Sequence, residues 1–215
     1  MTDPRATVRL PWLRLRNCDL FAAVNMVLFM VMGGVVYLQR FLVYRGPGNL
    51  NEFFVYACAI GAVILVAWLS LRQTNYPARL YIVTQAGILA HFAGAFISIG
   101  GQRLYDSQIL GLGYDKFVHM FNAAVGASLI AHLFEGVPLR PLMKALVVLM
   151  IVLGAGAVVE ILEFMVSLTI PNAGVGDYNN NMGDLVANAV GAAAYLAVTG
   201  MMDEIRHPRA EAQGA

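Results

Sequence analysis

The feature that most constrains this chain is a series of apolar runs, each long enough to match the hydrocarbon core of a bilayer, separated by short polar connections. In that solvent the backbone must satisfy its own N–H and C=O groups, which leaves helices and closed barrels as spanning structures. A barrel strand needs alternating polarity, and the runs show none. With 59% hydrophobic and 13% charged residues, the composition points the same way. The expected fold is an all-α membrane protein, a bundle of about six transmembrane helices.

The spans are read at Leu20–Leu42, Glu52–Leu71, Leu80–Gly100, Tyr114–Phe134, Leu142–Ile170 and Gly183–Met202. Residues 1–19 form a basic N-terminal segment with Arg5, Arg9, Arg14 and Arg16, residues 20–202 the bundle, and residues 203–215 a tail. The first apolar run is too long for a signal-peptide core and lacks a small-residue cleavage site, so it reads as a retained span. Lys and Arg placement gives the orientation. With the N-terminus in the cytoplasm, that side receives the leader arginines, Arg72, Arg79, Arg140, Lys144, Arg206 and Arg209, against Arg40, Arg45, Arg103 and Lys116 outside. Both termini are therefore expected in the cytoplasm.

A net charge of +1 gives no reason to expect a nucleic-acid partner. Cys18 and Cys58 have no CxxC spacing and read as small packing residues. Gly33 with Gly34, Gly154 with Gly156, and Gly183, Ala187 and Gly191 at four-residue spacing are suited to close helix approach. No internal repeat relates the first three spans to the last three, so the bundle reads as one domain.

Chemistry is expected where ionisable residues interrupt apolar spans, because such groups are costly in lipid and face the bundle interior. Asp115, His119 and Asn122 fall at i, i+4 and i+7 on one face of the fourth span, beside Tyr114 and Lys116. The fifth span carries Glu160 and Glu163, and the sixth opens with Asp184, with Asn188 a turn further in. At ~1.5 Å rise per residue, all of these lie in the outer half of the bilayer, where consecutive helices can bring them together. Asp115 and Asp184, at helix starts, also have an ordinary role open to them as caps. A buried pair with Lys116, or a protonated carboxyl, is the corresponding alternative for Glu160 and Glu163. His91 and His132 read as packing or polar contacts.

Four carboxylates, a histidine and amide oxygens make a ligand set suited to a divalent ion such as Mg, Mn, Fe or Zn. The candidate metal ligands are Asp115, His119, Glu160, Glu163 and Asp184. His119, Glu160 and Glu163 are the candidate acid–base groups, with Tyr114, Asn122 and Asn188 as polar support and the loop from Pro171 to Met182 as a lid.

Tyr114-Asp115-Lys116-x-x-His119, Glu160-x-x-Glu163, and Asp184 followed by Asn188 and Gly191-Ala192 resemble the YjdF-like family of bacterial inner-membrane proteins and, more distantly, VanZ-like proteins. The resemblance covers residues 114–192 and includes Phe164, the aromatic after the second glutamate. The stretch Asp177-Tyr178-Asn179-Asn180-Asn181-Met182-Gly183 departs from the family's aspartate- and tryptophan-bearing pattern. The resemblance implies a bacterial plasma-membrane location and, through the VanZ-like relatives, a link to envelope stress or glycopeptide tolerance; the Lys and Arg placement puts the site toward the periplasm. The expected function is metal-assisted hydrolysis or transfer on an envelope amphiphile. The alternative is a non-enzymatic membrane or accessory subunit, within a larger complex, whose polar cluster stabilises packing or binds an ion.

Overall fold

The computed structural model describes residues 15–169 and 178–206. Arg5, Arg9 and Arg14, most of the Pro171–Met182 loop and the tail beyond Arg206 lie outside the described residues. Helix forms over each expected apolar run, because lipid-length apolar runs leave the backbone one economical solution. The chain divides into two compact units, residues 1–81 and 82–215.

In the first unit, α1 (Asn17–Met32) passes through a π-helical turn (Gly33–Tyr37) into α2 (Leu38–Arg45). The helix begins three residues before the expected Leu20, so the basic segment of residues 1–19 already turns helical at Asn17. Gly46, at φ +76°, ends α2, the backbone state for which glycine carries no Cβ penalty. A short 3₁₀ turn (Pro47–Asn49) then leads into α3 (Leu50–Gln73).

α1 and α3 run antiparallel, since the start of one meets the end of the other through Asp19. Its carboxylate accepts from Arg72 Nε at 2.7 Å and Nη2 at 3.0 Å, Trp68 Nε1 at 2.8 Å, and the Arg16 backbone N–H at 2.9 Å. The Arg72 guanidinium lies 5.2 Å from the Trp68 ring centre. At the opposite ends, Arg45 pairs with Glu52 at 3.1 Å. Neither Gly33 nor Gly34 has an atom within 4 Å of where a Cβ would be, so close approach does not account for that pair.

α4 (Ala78–Phe96) crosses the division between the units. The third span was expected to continue to Gly100; it stops at Phe96. Two small antiparallel hairpins follow, β1 (Ser98–Ile99) with β2 (Gln102–Arg103) and β3 (Gln108–Ile109) with β4 (Leu112–Gly113). Each has a two-residue turn with both φ angles positive, Gly100–Gly101 and Leu110–Gly111, the state that suits a tight hairpin.

The second unit is built on α5 (Tyr114–Leu133), α6 (Pro141–Thr169) and α7 (Tyr178–Arg206). α7 starts five residues before the expected Gly183, so Tyr178–Met182 is helix rather than loop. Ala123, Ala127, Val148, Val152 and Ala192 form the core, with Ile130, Leu149, Tyr195 and Leu196 against it. Alanines on α5 and α7 let those two helices approach until backbone meets backbone. A Cβ on Gly191 would lie 2.6 Å from the Met120 carbonyl carbon and closer still to its oxygen. α5 and α7 run in the same direction, since Lys116 meets Asp184 and Met120 meets Gly191; α6 runs against both.

Among the described residues, four segments are long and apolar enough to cross a membrane: Asn17–Val43, Pro47–Gln73, Pro141–Met165 and Tyr178–Gly200. α4 and α5 are not among them; α5 interrupts its apolar run with Asp115, Lys116, His119 and Asn122. Leu142, Met150, Val158, Ile161, Leu162 and Phe164 of α6 are exposed, which is the surface a lipid solvent requires of a spanning helix. Cys18 is buried and Cys58 exposed, and both are free thiols.

Candidate functional site

Along α5, Asp115, Lys116 and His119 occupy the first two turns. Lys116 extends its ammonium toward α7, where it donates to Asp184 Oδ1 at 2.8 Å, Asn180 Oδ1 at 2.8 Å and the Asn180 carbonyl at 3.1 Å. It also reaches Asp115 Oδ2 at 2.9 Å. The approach is permitted by Gly183, where a Cβ would stand 3.0 Å from Lys116 Cε. The cation that the alternative reading paired with the glutamates thus holds the aspartates instead. Asp115 Oδ1 accepts from the backbone N–H of Lys116 at 2.8 Å.

Asp184 is 2% exposed and lies inside α7, not at its start, so the capping role considered for it is overturned. One helical turn before it, Asn180 donates from Nδ2 to Asp184 Oδ2 at 2.8 Å. With that oxygen held, Asp184 Oδ1 faces both Lys116 and His119, whose Nε2 is 3.3 Å away. The other ring nitrogen of His119, Nδ1, faces Glu160 Oε1 at 3.9 Å.

Glu160 is 5% exposed, and among the described residues neither of its carboxylate oxygens has a hydrogen-bond partner. That is a costly state for a buried polar group, and it calls for a ligand, a proton or a cation. His119, Glu160 and Asp184 each present a ligand atom, and these atoms all lie within 4.8 Å of one another. One imidazole nitrogen and two carboxylate oxygens fit the hard-to-borderline donor set of Mg, Mn, Fe or Zn.

The remaining candidates surround this group without joining it. Asp115 is engaged by Lys116. Glu163, one turn along α6 from Glu160, lines a cavity together with His91, His119, Asn122 and Asn188. Asn188 is buried and fits because α6 carries Gly156 opposite it; a Cβ there would come within 2.7 Å of Asn188 Nδ2. Asn122 Nδ2 lies 3.5 Å from the Gly87 carbonyl of α4. Tyr114 donates to the Ala90 carbonyl at 2.9 Å, and its ring stands 6.0 Å from that of Tyr105, whose hydroxyl bonds His91 Nδ1. His132 pairs with Glu135 at 3.0 Å, away from the cluster.

Sequence reasoning missed Asn180, and the signal was present: Asn180, Asp184 and Asn188 stand at successive four-residue steps on one helical face. It also missed the Asp19, Trp68 and Arg72 node, whose partners are separated by about fifty residues.

Fold and cluster together define a helical membrane protein with an interior polar centre of one histidine and two carboxylates. The chain belongs to the family described as predicted membrane protein (DUF2238), whose model it matches over residues 18–204. No curated protein and no solved structure matches it.

Proposed function

We propose that this chain is a metal-assisted hydrolase or transferase acting on an amphiphile within the membrane. The observation that carries the reading is Glu160, a buried carboxylate with neither oxygen hydrogen-bonded among the described residues, facing His119 and within ligand distance of Asp184. His119, Glu160 and Asp184 would hold the ion. When bound, a divalent ion supplies Lewis-acid polarisation and lowers the pKa of a coordinated water.

The chain's own groups have separable tasks. Lys116 and Asn180 fix Asp184 from two sides, so that its orientation is set before any ligand arrives. Glu160 accepts the proton of an attacking water as the new bond to the acyl or phosphoryl centre forms. Glu160 returns it, through the carboxylate oxygen that the ion leaves free, to the departing oxygen as that bond breaks, while His119, 3.9 Å away, would remain a ligand. Glu163 is the second acid–base group at the cavity edge.

The setting that best accommodates this chemistry is the bacterial plasma membrane. It has six spans over residues 20–202, cytoplasmic termini and the cluster toward the periplasm. The Lys and Arg distribution and the Tyr114-Asp115-Lys116-x-x-His119 resemblance to YjdF-like and VanZ-like proteins support that setting. A second reading, a non-enzymatic accessory subunit, is favoured by Lys116, whose contacts to two aspartates and Asn180 also serve as a packing lock.

Sealed right-side-out vesicles of bacterial lipid extract, supplied with Mg, Mn, Fe or Zn, distinguish the readings. Wild type is expected to generate new lipid products from the outer leaflet by mass spectrometry, and Glu160→Gln to lower the yield by at least about a hundredfold. No product with any of the four ions supports the subunit reading, and product from the inner leaflet alone reverses the orientation.

A further inference from the structure

Beside the polar cluster, α4, α5, α6 and α7 line an open-sided cavity of about 390 Å³, within the ~300–1,000 Å³ range of small-molecule sites. Its lining is divided by polarity. His119, Asn122, Glu163 and Asn188 stand at one end, and the remainder of the α5 and α6 walls is apolar as far as Leu129, Ile130 and Ile151. Along α5 the wall from His119 to Ile130 covers eleven residues, about 16 Å at ~1.5 Å per residue. The antiparallel wall on α6, Glu163 back to Ile151, covers twelve, about 18 Å. Both lengths are close to one leaflet of a bilayer whose hydrocarbon core is ~30 Å thick.

We infer that this cavity holds the single alkyl chain of an amphiphile, with its head at His119, Glu160 and Asp184 and its tail between α5 and α6. The inference rests on the proposed reaction and narrows its substrate class to lipids with one linear chain about a leaflet long. Small side chains make the slot: Gly126 meets only Val152, at 3.8 Å from a would-be Cβ, and Ala155 is exposed within the lining. A globular head would not fit along this length, because the apolar walls offer it no hydrogen-bond partner past Asn122 and Asn188. A linear chain needs none.

Photo-crosslinking in nanodiscs with a palmitate analogue carrying a mid-chain diazirine tests the inference. Crosslinks are expected at Leu129 and Ile130, and Ala155→Trp should reduce them about tenfold by filling the slot, while crosslinks to the outward-facing Ile161 and Leu162 persist. Unlabelled palmitate should compete about tenfold better than octanoate. Labelling confined to Ile161, Leu162 and other outward residues, equal in wild type and Ala155→Trp, would overturn the slot. Metal loading measured on the same two proteins separates the two ideas. Retained metal without slot labelling sinks only the chain assignment, and slot labelling without metal sinks only the metal reading.

Discussion

Gly191→Ala is expected to destabilise the second unit by about 3 kcal/mol or more, the upper range for overpacking, although it adds only one methyl group. The methyl would overlap the Met120 carbonyl, with the carbonyl carbon at 2.6 Å and the Cα at 2.7 Å. These are backbone atoms, which cannot rotate away as a side chain would. Relief therefore requires α5 and α7 to separate, and their separation pulls Lys116 from Asp184. Gly154→Ala is the control, because nothing lies within 4 Å of its Cβ position; it should change stability by no more than about 0.5 kcal/mol. Thermal unfolding in detergent, with both variants side by side, reads the difference. Equal effects would mean that the α5–α7 contact is looser than described.

Lys116→Met is expected to cost about 3–5 kcal/mol, because it leaves carboxylates at Asp115 and Asp184 in low-dielectric surroundings without their cation. Methionine retains most of the aliphatic stem, so lost packing contributes little. Adding Asp184→Asn to that variant should recover part of the loss, with a coupling of about 0.5–3 kcal/mol between the two sites. A double-mutant cycle on unfolding free energy measures it. Strictly additive effects would show that the 2.8 Å contact contributes nothing to the fold.

The helices were legible in the sequence because lipid leaves an apolar run of that length little choice but helix, and α3 and α6 lie within two residues of where hydropathy puts their described ends. The ends that moved did so for local reasons. Gly100–Gly101 and Leu110–Gly111 turn the chain into hairpins where hydropathy alone continued the third helix. Asn179, Asn180 and Asn181 look like loop by polarity, yet Asn180 is helical and its side chain bonds Asp184 one turn on.

The site was partly legible for a geometric reason. Spacing and depth along three helices put His119, Glu160 and Asp184 in the same half of the bilayer but at different depths, and those three present mutually close ligand atoms. Rotation about each helix axis is not contained in depth. It places Asp115 against Lys116 and leaves Glu163 on the cavity wall. The partner choice of Lys116 was hidden for the same reason: Asp115, Asp184 and both glutamates were all within reach by depth alone. Gly183 and Gly156 decide which contacts form, by giving room to Lys116 and Asn188 respectively.

The central claim is that His119, Glu160 and Asp184 hold a divalent ion, and elemental analysis of the purified protein in nanodiscs tests it most directly. After equilibration with Mg, Mn, Fe or Zn and removal of loosely bound ions, about one ion per chain is expected in wild type. Glu160→Gln and Asp184→Asn should lower the occupancy at least about tenfold while each variant still unfolds cooperatively. Wild-type protein without stoichiometric metal under all four conditions, or occupancy unchanged in both variants, would contradict the account.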